Sequence, residues 1–550
     1  MKRLVLLFAS LLSAACAATA PMPGRDLVVR GGTLLAGTEL RAIDRGAVVI
    51  RDGKIAWIGP AADLPPLSGA TVVLDVEGAT ILPGLVDSHA HISGLGAALD
   101  TVDLVGTTSY EQVIERIRRA GEGESPGEWI LGRGWDQNDW PLEEFPRADA
   151  LDRAVGDRPV WVRRIDGHAG LASSAAIRAA RITAATPDPA GGKILRDAAG
   201  EPTGVFIDAA MDLIDSIVPP PSRTVRRNRI RDAARAIASK GLTAVHDAGV
   251  DQDTITLMRE LIDAGELPIR VYAMLGDDDE LLDYWFERGP LVDYGDRLTI
   301  RSVKLYADGA LGSRGAALLA PYADDSSNSG LMTATPSHLT ERARRALAAG
   351  FQVGTHAIGD AGVRNVLDAY ETAGIRPDSR FRIEHLQVVA PEDFARVARL
   401  GVISAMQPTH ATSDMPWAED RLGEERARGA YAWRTVLDAG GRLALGSDFP
   451  VEDVDPLLGL YAAVTRQDLE GKPEGGWFPL QKLTIAEAIR GFTLDAAYAA
   501  FEEDRRGSID VGKFADLTIV RPDPTSSPAA GIPKTEILYT IVNGEVVFKK

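Results

Sequence analysis

Leu82-Pro83-Gly84-Leu85-Val86-Asp87-Ser88-His89-Ala90-His91 reads as a buried strand, Thr80 to Val86, that runs out at its end into two histidines separated by one residue. On an extended chain residues i and i+2 point to the same side, so both imidazoles can face one point in space. A strand can offer a metal two nitrogen ligands in this way. A lone His-x-His occurs by chance in many proteins, and this one gains its weight only from residues later in the chain.

Downstream, apolar runs alternate with Ala/Arg/Glu-rich helical stretches. The runs are Leu242–His246, Ile269–Met274, Leu298–Tyr306, Gln352–His356, Phe381–His385, Val402–Met406 and Leu443–Ser447. With Thr80–Val86 they make eight strands, which predicts an α/β chain whose body, about residues 79–506, is a closed (β/α)8 TIM-type barrel. Roughly 150 residues separate the first two runs, far more than a crossover helix needs, and they carry strand and helix signals of their own. An inserted subdomain at about residues 103–240 is expected there, over the catalytic mouth. Short strand-like stretches with an Asp52-Gly53 turn fill residues 26–78, and the same texture returns with Asn543-Gly544 over residues 507–550. Neither piece has enough strands alone, so the two termini are expected to fold together as one small β-sandwich domain.

At 550 residues the chain suits one large domain plus something smaller. A net charge of -18 argues against nucleic acid, whose binders present a basic face to phosphate. The first 20 residues have the layout of an export signal: Lys2 and Arg3, the apolar run Leu4 to Leu12, then Ser13-Ala14-Ala15-Cys16. The only cysteine stands at that exit, which resembles a bacterial lipobox and implies a periplasmic protein lipid-anchored through Cys16. Cleavage after Ala18-Thr19-Ala20 is the competing reading. A homo-oligomer is left open.

Polar residues at the strand ends carry the chemistry, because barrel active sites lie at the carboxyl ends of the strands. His89 and His91 end the first run, Lys304 stands in the fourth, His356 and His385 end the fifth and sixth, and Asp448 ends the eighth. Each alone is as well explained by core packing or an ion pair; together, at successive strand ends, they point to a metal site.

That ordered set, His-x-His, lysine, histidine, histidine, aspartate, resembles the metal site of the amidohydrolase superfamily. The stretches Gly132-Arg133-Gly134-Trp135-Asp136, Asp166-Gly167-His168-Ala169, Asp308-Gly309-Ala310-Leu311-Gly312-Ser313-Arg314 and Gly446-Ser447-Asp448-Phe449-Pro450 are similar to its amidohydrolase-3 branch of YtcJ-like and N-substituted-formamide-deformylase-like proteins. The resemblance implies two zinc ions. His89, His91 and Asp448 would bind one and His356 and His385 the other, with Lys304 as an N6-carboxylysine between them. Neutral imidazoles and a carboxylate suit zinc, and burial near cations would lower the lysine pKa enough for it to take up carbon dioxide.

The expected activity is hydrolysis of a C–N bond in a small amide, formamide or cyclic amide by metal-activated water, with Asp448 as general acid and base. The alternatives are a mononuclear deaminase of the same superfamily and a non-catalytic ligand-binding barrel. Substrate contacts are expected from His168, His246, Asp308, Arg314 and Trp135, whereas His338 and His410 read as structural or exposed.

Overall fold

Gly84 divides the first apolar run between two domains. In the computed structural model, which describes residues 26–67, 71–122 and 127–550, Thr80–Pro83 pairs with Thr33–Ala36 and with Leu517–Arg521 in the terminal domain. Leu85–Ala90 then starts the barrel, so the single strand expected over Thr80–Val86 is two. A Cβ at Gly84 would lie 2.4 Å from Thr243 Oγ1, so the crossing point has no room for a side chain. The signal segment and Cys16 lie outside the described residues.

Eight parallel strands succeed one another around the barrel. Strands 1 to 4 are Leu85–Ala90, Leu242–Val250, Arg270–Leu275 and Leu298–Tyr306. Strands 5 to 8 are Gln352–Ala357, Arg382–His385, Ile403–Met406 and Arg442–Leu445. Each pairs with the next in sequence. Strand 8 returns to strand 1 just beyond its end, where Asp448 N donates to His89 O at 2.8 Å and His91 N to Phe449 O at 2.9 Å. The outer helices pack apolar side chains against the strands. Gln252–Asp263, for example, is capped by the Asp251 side chain and buries Ile255, Leu257, Met258 and Leu261.

The segment after strand 1 forms its own six-stranded sheet, Gly192–Arg196, Pro202–Asp208, Ala169–Ala172, Val160–Arg164, Ile130–Trp135 and Val102–Asp103 in spatial order. Apolar clusters cover both its faces. The helix Arg223–Ser239, placed in the insertion by the sequence, buries Ile230, Ala233, Ala234 and Ile237 in the barrel core instead. The termini make a sandwich of a four-stranded and a six-stranded sheet, with Val29, Val48, Ile81, Leu517 and Ile541 among the side chains packed between them. Among the described residues no helix is long and apolar enough to cross a membrane.

One buried ion pair ties the sandwich to the barrel. Arg270, at the start of strand 3, donates from Nε and Nη2 to the two carboxylate oxygens of Asp516 at 2.7 and 2.9 Å. Asp516 also accepts from Asn543 N at 2.8 Å. Removing one partner of such a pair leaves a buried charge uncompensated, at a cost of about 3–5 kcal/mol, whereas replacing both with apolar groups is far milder. Asp516→Leu alone should therefore lower the melting temperature more than the double variant Arg270→Met/Asp516→Leu. Equal or additive losses in a thermal melt would refute this account of the junction.

Candidate metal centre

The barrel's carboxyl ends bring six side chains to one place. His91 Nε2 lies 3.2 Å and His89 Nε2 3.5 Å from Asp448 Oδ1. Lys304 Nζ is 3.3 Å from His89 Nε2. The His385 ring is 4.9 Å from that of His89 and 4.6 Å from that of His356, centroid to centroid. One donor atom each from His89, His385 and Asp448 fall within 4.8 Å of one another. His385 and Asp448 reach this position through left-handed backbone, with φ of 72° and 63°. Such strain, about 1–3 kcal/mol each, is characteristic of sites whose geometry is fixed by their surroundings.

Each imidazole is oriented by an oxygen on its far side. His89 Nδ1 donates to Glu384 Oε2 at 2.5 Å, His91 Nδ1 to Ala248 O at 2.9 Å and His385 Nδ1 to Gln407 Oε1 at 2.9 Å. His356 is turned the other way, with Nε2 directed at Gly309 O, 3.4 Å distant. An N–H spent on an outer oxygen leaves the opposite nitrogen as a lone pair, so His89, His91 and His385 present Nε2 and His356 presents Nδ1. Glu384 is itself fully buried and neutralised by Arg382, whose Nε lies 2.8 Å from Oε1. Arg382 also donates to Ser88 O at 2.6 Å and to His246 Nδ1 at 2.9 Å.

Electrostatics keep the donors in their ligating forms. Burial, then the Lys304 charge, hold His89 and His356 well below the usual histidine range. For His385 burial acts together with its histidine neighbours. Burial pushes the Lys304 ammonium down to about 8, against the pull of Glu384 and Asp448. Burial would raise Asp448, but its close contacts with the His91 and His89 rings hold it below the ordinary carboxylate range.

The other residues expected at the substrate divide. His168 reaches the cavity from the insertion, its Nδ1 2.7 Å from Asp208 Oδ1 and its ring 5.4 Å from that of His356. His246 does not line the cavity; it is buried beneath the site against Arg382 and the Tyr272 ring. Asp308 is buried too, accepting from Ala317 N, Ile358 N and Gly359 N at 2.9, 3.0 and 2.8 Å, so it fastens loops together rather than facing ligand. Arg314 pairs with Asp324 at 2.9 Å away from the cavity. Trp135 is displaced by a β-bulge: the ladder slips between Arg133 and Trp135, with Gly134 at φ 112°. The slip turns the indole into the insertion's core, where Nε1 donates to Val162 O at 3.0 Å.

Four residues passed over in the sequence belong here. Glu384 and Arg382 share a face of strand 6, and two charged residues at i and i+2 in a buried strand were the available signal. His410, expected to be structural or exposed, is buried with its ring stacked 5.8 Å from that of His385 and Nε2 3.9 Å from Asp448 Oδ2. Glu452 lies 4.0 Å from His410 Nε2, and burial raises its carboxyl to about 8. All but the strand 6 pair line a cavity of ≈ 1340 Å³ shared by His91, Lys304, His356, His385 and Asp448.

The carboxylate behind His89 generates a test. Removing such an outer partner typically costs about 10–100-fold in metal affinity. Glu384→Gln should weaken divalent-metal binding by that factor in chelator competition while the far-ultraviolet circular dichroism is retained. Unchanged affinity would show that the ring needs no such support.

Comparison with known proteins places the fold in a family. A model of the amidohydrolase family matches residues 72–548, and one of a bacterial imidazolonepropionase-like composite domain matches residues 46–66. YtcJ from Bacillus subtilis (strain 168) is 35% identical over 515 residues, covering 92% of this chain and 96% of its own. The N-substituted formamide deformylase of Arthrobacter pascens is 28% identical over 528 residues, 92% of this chain and 95% of the relative. The crystal structure of an uncharacterized metal-dependent hydrolase from Pyrococcus horikoshii OT3 superposes with a TM-score of 0.74 at 29% identity, covering 92% of this chain and 99% of that one. With the family match spanning most of its length and the barrel and donor set in place, the chain belongs to the amidohydrolase family and is a hydrolase.

Proposed function

We propose that the chain hydrolyses a C–N bond of a small amide, formamide or cyclic amide. The observation that carries this reading is the convergence of four imidazoles, Lys304 and Asp448 at the barrel mouth, each imidazole held from behind by its own oxygen. Neutral nitrogens beside an ionised carboxylate fit a divalent ion such as zinc. His89, His91 and Asp448 would hold one ion, His356 and His385 a second, and Lys304, carboxylated, would lie between them. When bound, such ions polarise a carbonyl oxygen and acidify water to a pKa of about 7.

The side chains supply the rest. Asp448 keeps its Oδ1 on His91 and stays ionised, so its carboxylate takes a proton from the attacking water and hands it to the leaving nitrogen. Water adds across the C–N bond, giving a carboxylic acid and an amine. Lys304 in its neutral form adds to carbon dioxide and releases one proton, becoming a carbamate. The cavity of ≈ 1340 Å³ has room for a small molecule. A single-metal deaminase is the second reading, favoured by the compactness of the His89, His385 and Asp448 donors, all within 4.8 Å. In it Lys304 remains an ammonium beside His89.

Two measurements test the proposal. On a panel of N-substituted formamides and cyclic amides, Asp448→Asn should lower kcat by about 100- to 10,000-fold, the range of a lost general acid and base. If the wild type releases ammonia from cyclic amidines and leaves every amide intact, the deaminase replaces it. With the Lys304 ammonium pushed down to about 8, its neutral fraction grows with pH and levels off above that value. Reactivation of carbon-dioxide-depleted enzyme at fixed dissolved carbon dioxide should then quicken about tenfold per pH unit below 8. Activity indifferent to carbon dioxide would contradict the carbamate.

A further inference from the structure

Arg133 is the arginine of the cavity that, among the described residues, lacks a counterion. Among the described residues five arginines line this space. Arg163 pairs with Asp215 and Arg164 with Asp136 and Asp166. Arg226 pairs with Asp251 and Asp253, and Arg229 with Asp100. Arg133 has no carboxylate within ion-pair distance among the described residues. One guanidinium nitrogen, Nη2, is taken by the Ile165 carbonyl, and Nε is buried with no acceptor.

Its position is fixed by the sheet rather than by the charges around it. Arg133 stands on the insertion strand Ile130–Trp135 between two glycines, and Gly132 could not be enlarged because its Cβ would lie 2.9 Å from Val102 O. The bulge at Gly134 sends Trp135 into the core and leaves Arg133 lining the cavity that it shares with His91, Lys304, His356, His385 and Asp448. Burial pulls the guanidinium down to about 10, against the fields of Asp448 and Asp166, so it stays charged at neutral pH. A charged group held in a largely desolvated wall with no protein counterion is a poor stabilising device and a good anion receptor.

We infer that Arg133 binds a carboxylate on the substrate, so that the preferred substrates are small amides carrying a carboxylate away from the bond that is cut. The inference rests on the proposed amide hydrolysis, and it adds the substrate's charge. Asp166 is already engaged by Arg164, and neither it nor Asp448 lies within ion-pair distance of Arg133. A neutral amide would leave the guanidinium uncompensated, whereas a carboxylate would supply the missing partner.

Binding tests the inference independently of turnover. The zinc-supplemented full-length enzyme would be titrated calorimetrically with two matched pairs of probes, because the distance from carboxylate to amide is a free variable. These are N-formylphenylalanine against N-formylphenylalaninamide, and 6-formamidohexanoate against 6-formamidohexanamide. The carboxylate member of at least one pair should bind about 10-fold or more tightly than its neutral partner. Arg133→Met should bring the two to parity without changing the neutral one, and Arg133→Lys should keep part of the preference. A thermal melt of both variants checks that the insertion is folded, and should Arg133→Met fail to fold, the Arg133→Lys titration decides. No preference in the wild type, or a preference that survives in Arg133→Met or undiminished in Arg133→Lys, overturns the inference. Turnover of the same probes separates the two claims. Hydrolysis of neutral amides unaffected by Arg133→Met, without carboxylate preference, removes the anion site alone, and carboxylate preference without hydrolysis of any amide removes the hydrolase reading alone.

Discussion

Asp87 holds the last strand of the barrel to the first, and the site depends on that seam. Its carboxylate accepts from the Ser447 hydroxyl at 2.7 Å, from Ser447 N at 3.0 Å and from His89 N at 3.1 Å. Asp87 stands two residues before His89, and Ser447 one residue before Asp448. The same group therefore sets the separation between the His-x-His pair and the aspartate it must meet. The strands come this close because residue 446 is glycine: a Cβ there would lie 2.5 Å from Asp87 Oδ1 and 2.7 Å from His89 N. Burial lifts the Asp87 carboxyl to about 7, opposed by these hydrogen bonds, so the seam is a hydrogen-bonding clamp more than an ion pair.

Beneath the seam the barrel interior is unusually polar. Arg382 and Glu384 are both fully buried, and each is meaningful only through the other: the carboxylate orients His89, and the guanidinium pairs with the carboxylate while reaching Ser88 O and His246. A buried pair of this kind is a weak source of stability. Its value is positional, since it fixes the tautomer and tilt of one imidazole in a crowded set. The left-handed backbone at His385 and Asp448 has the same meaning, with local strain held in place by a rigid wall of parallel strands.

Much of this was legible in the sequence. Strand ends carrying His89, His91, His356, His385 and Asp448 announced both the barrel and its mouth, because a parallel sheet with helices on its outside leaves few other places for polar residues in apolar runs. What alternation could not show was where the period slips. Gly84 let one apolar run serve two domains, and the bulge at Gly134 turned Trp135 from an expected pocket wall into core. Long-range partnerships were equally invisible: Asp308 and Arg314 looked available until loop amides and Asp324 claimed them. His410 lay in a helix beginning just past strand 7, a strand end to which no chemistry had been assigned.

The proposed function has these side chains hold two bridged metal ions, and elemental analysis tests that proposal most directly. Protein lacking residues 1–20, purified without chelators and supplied with zinc and bicarbonate, should contain about two divalent ions per chain. A single ion would contradict the carbamate-bridged pair, and none would contradict the metal centre itself.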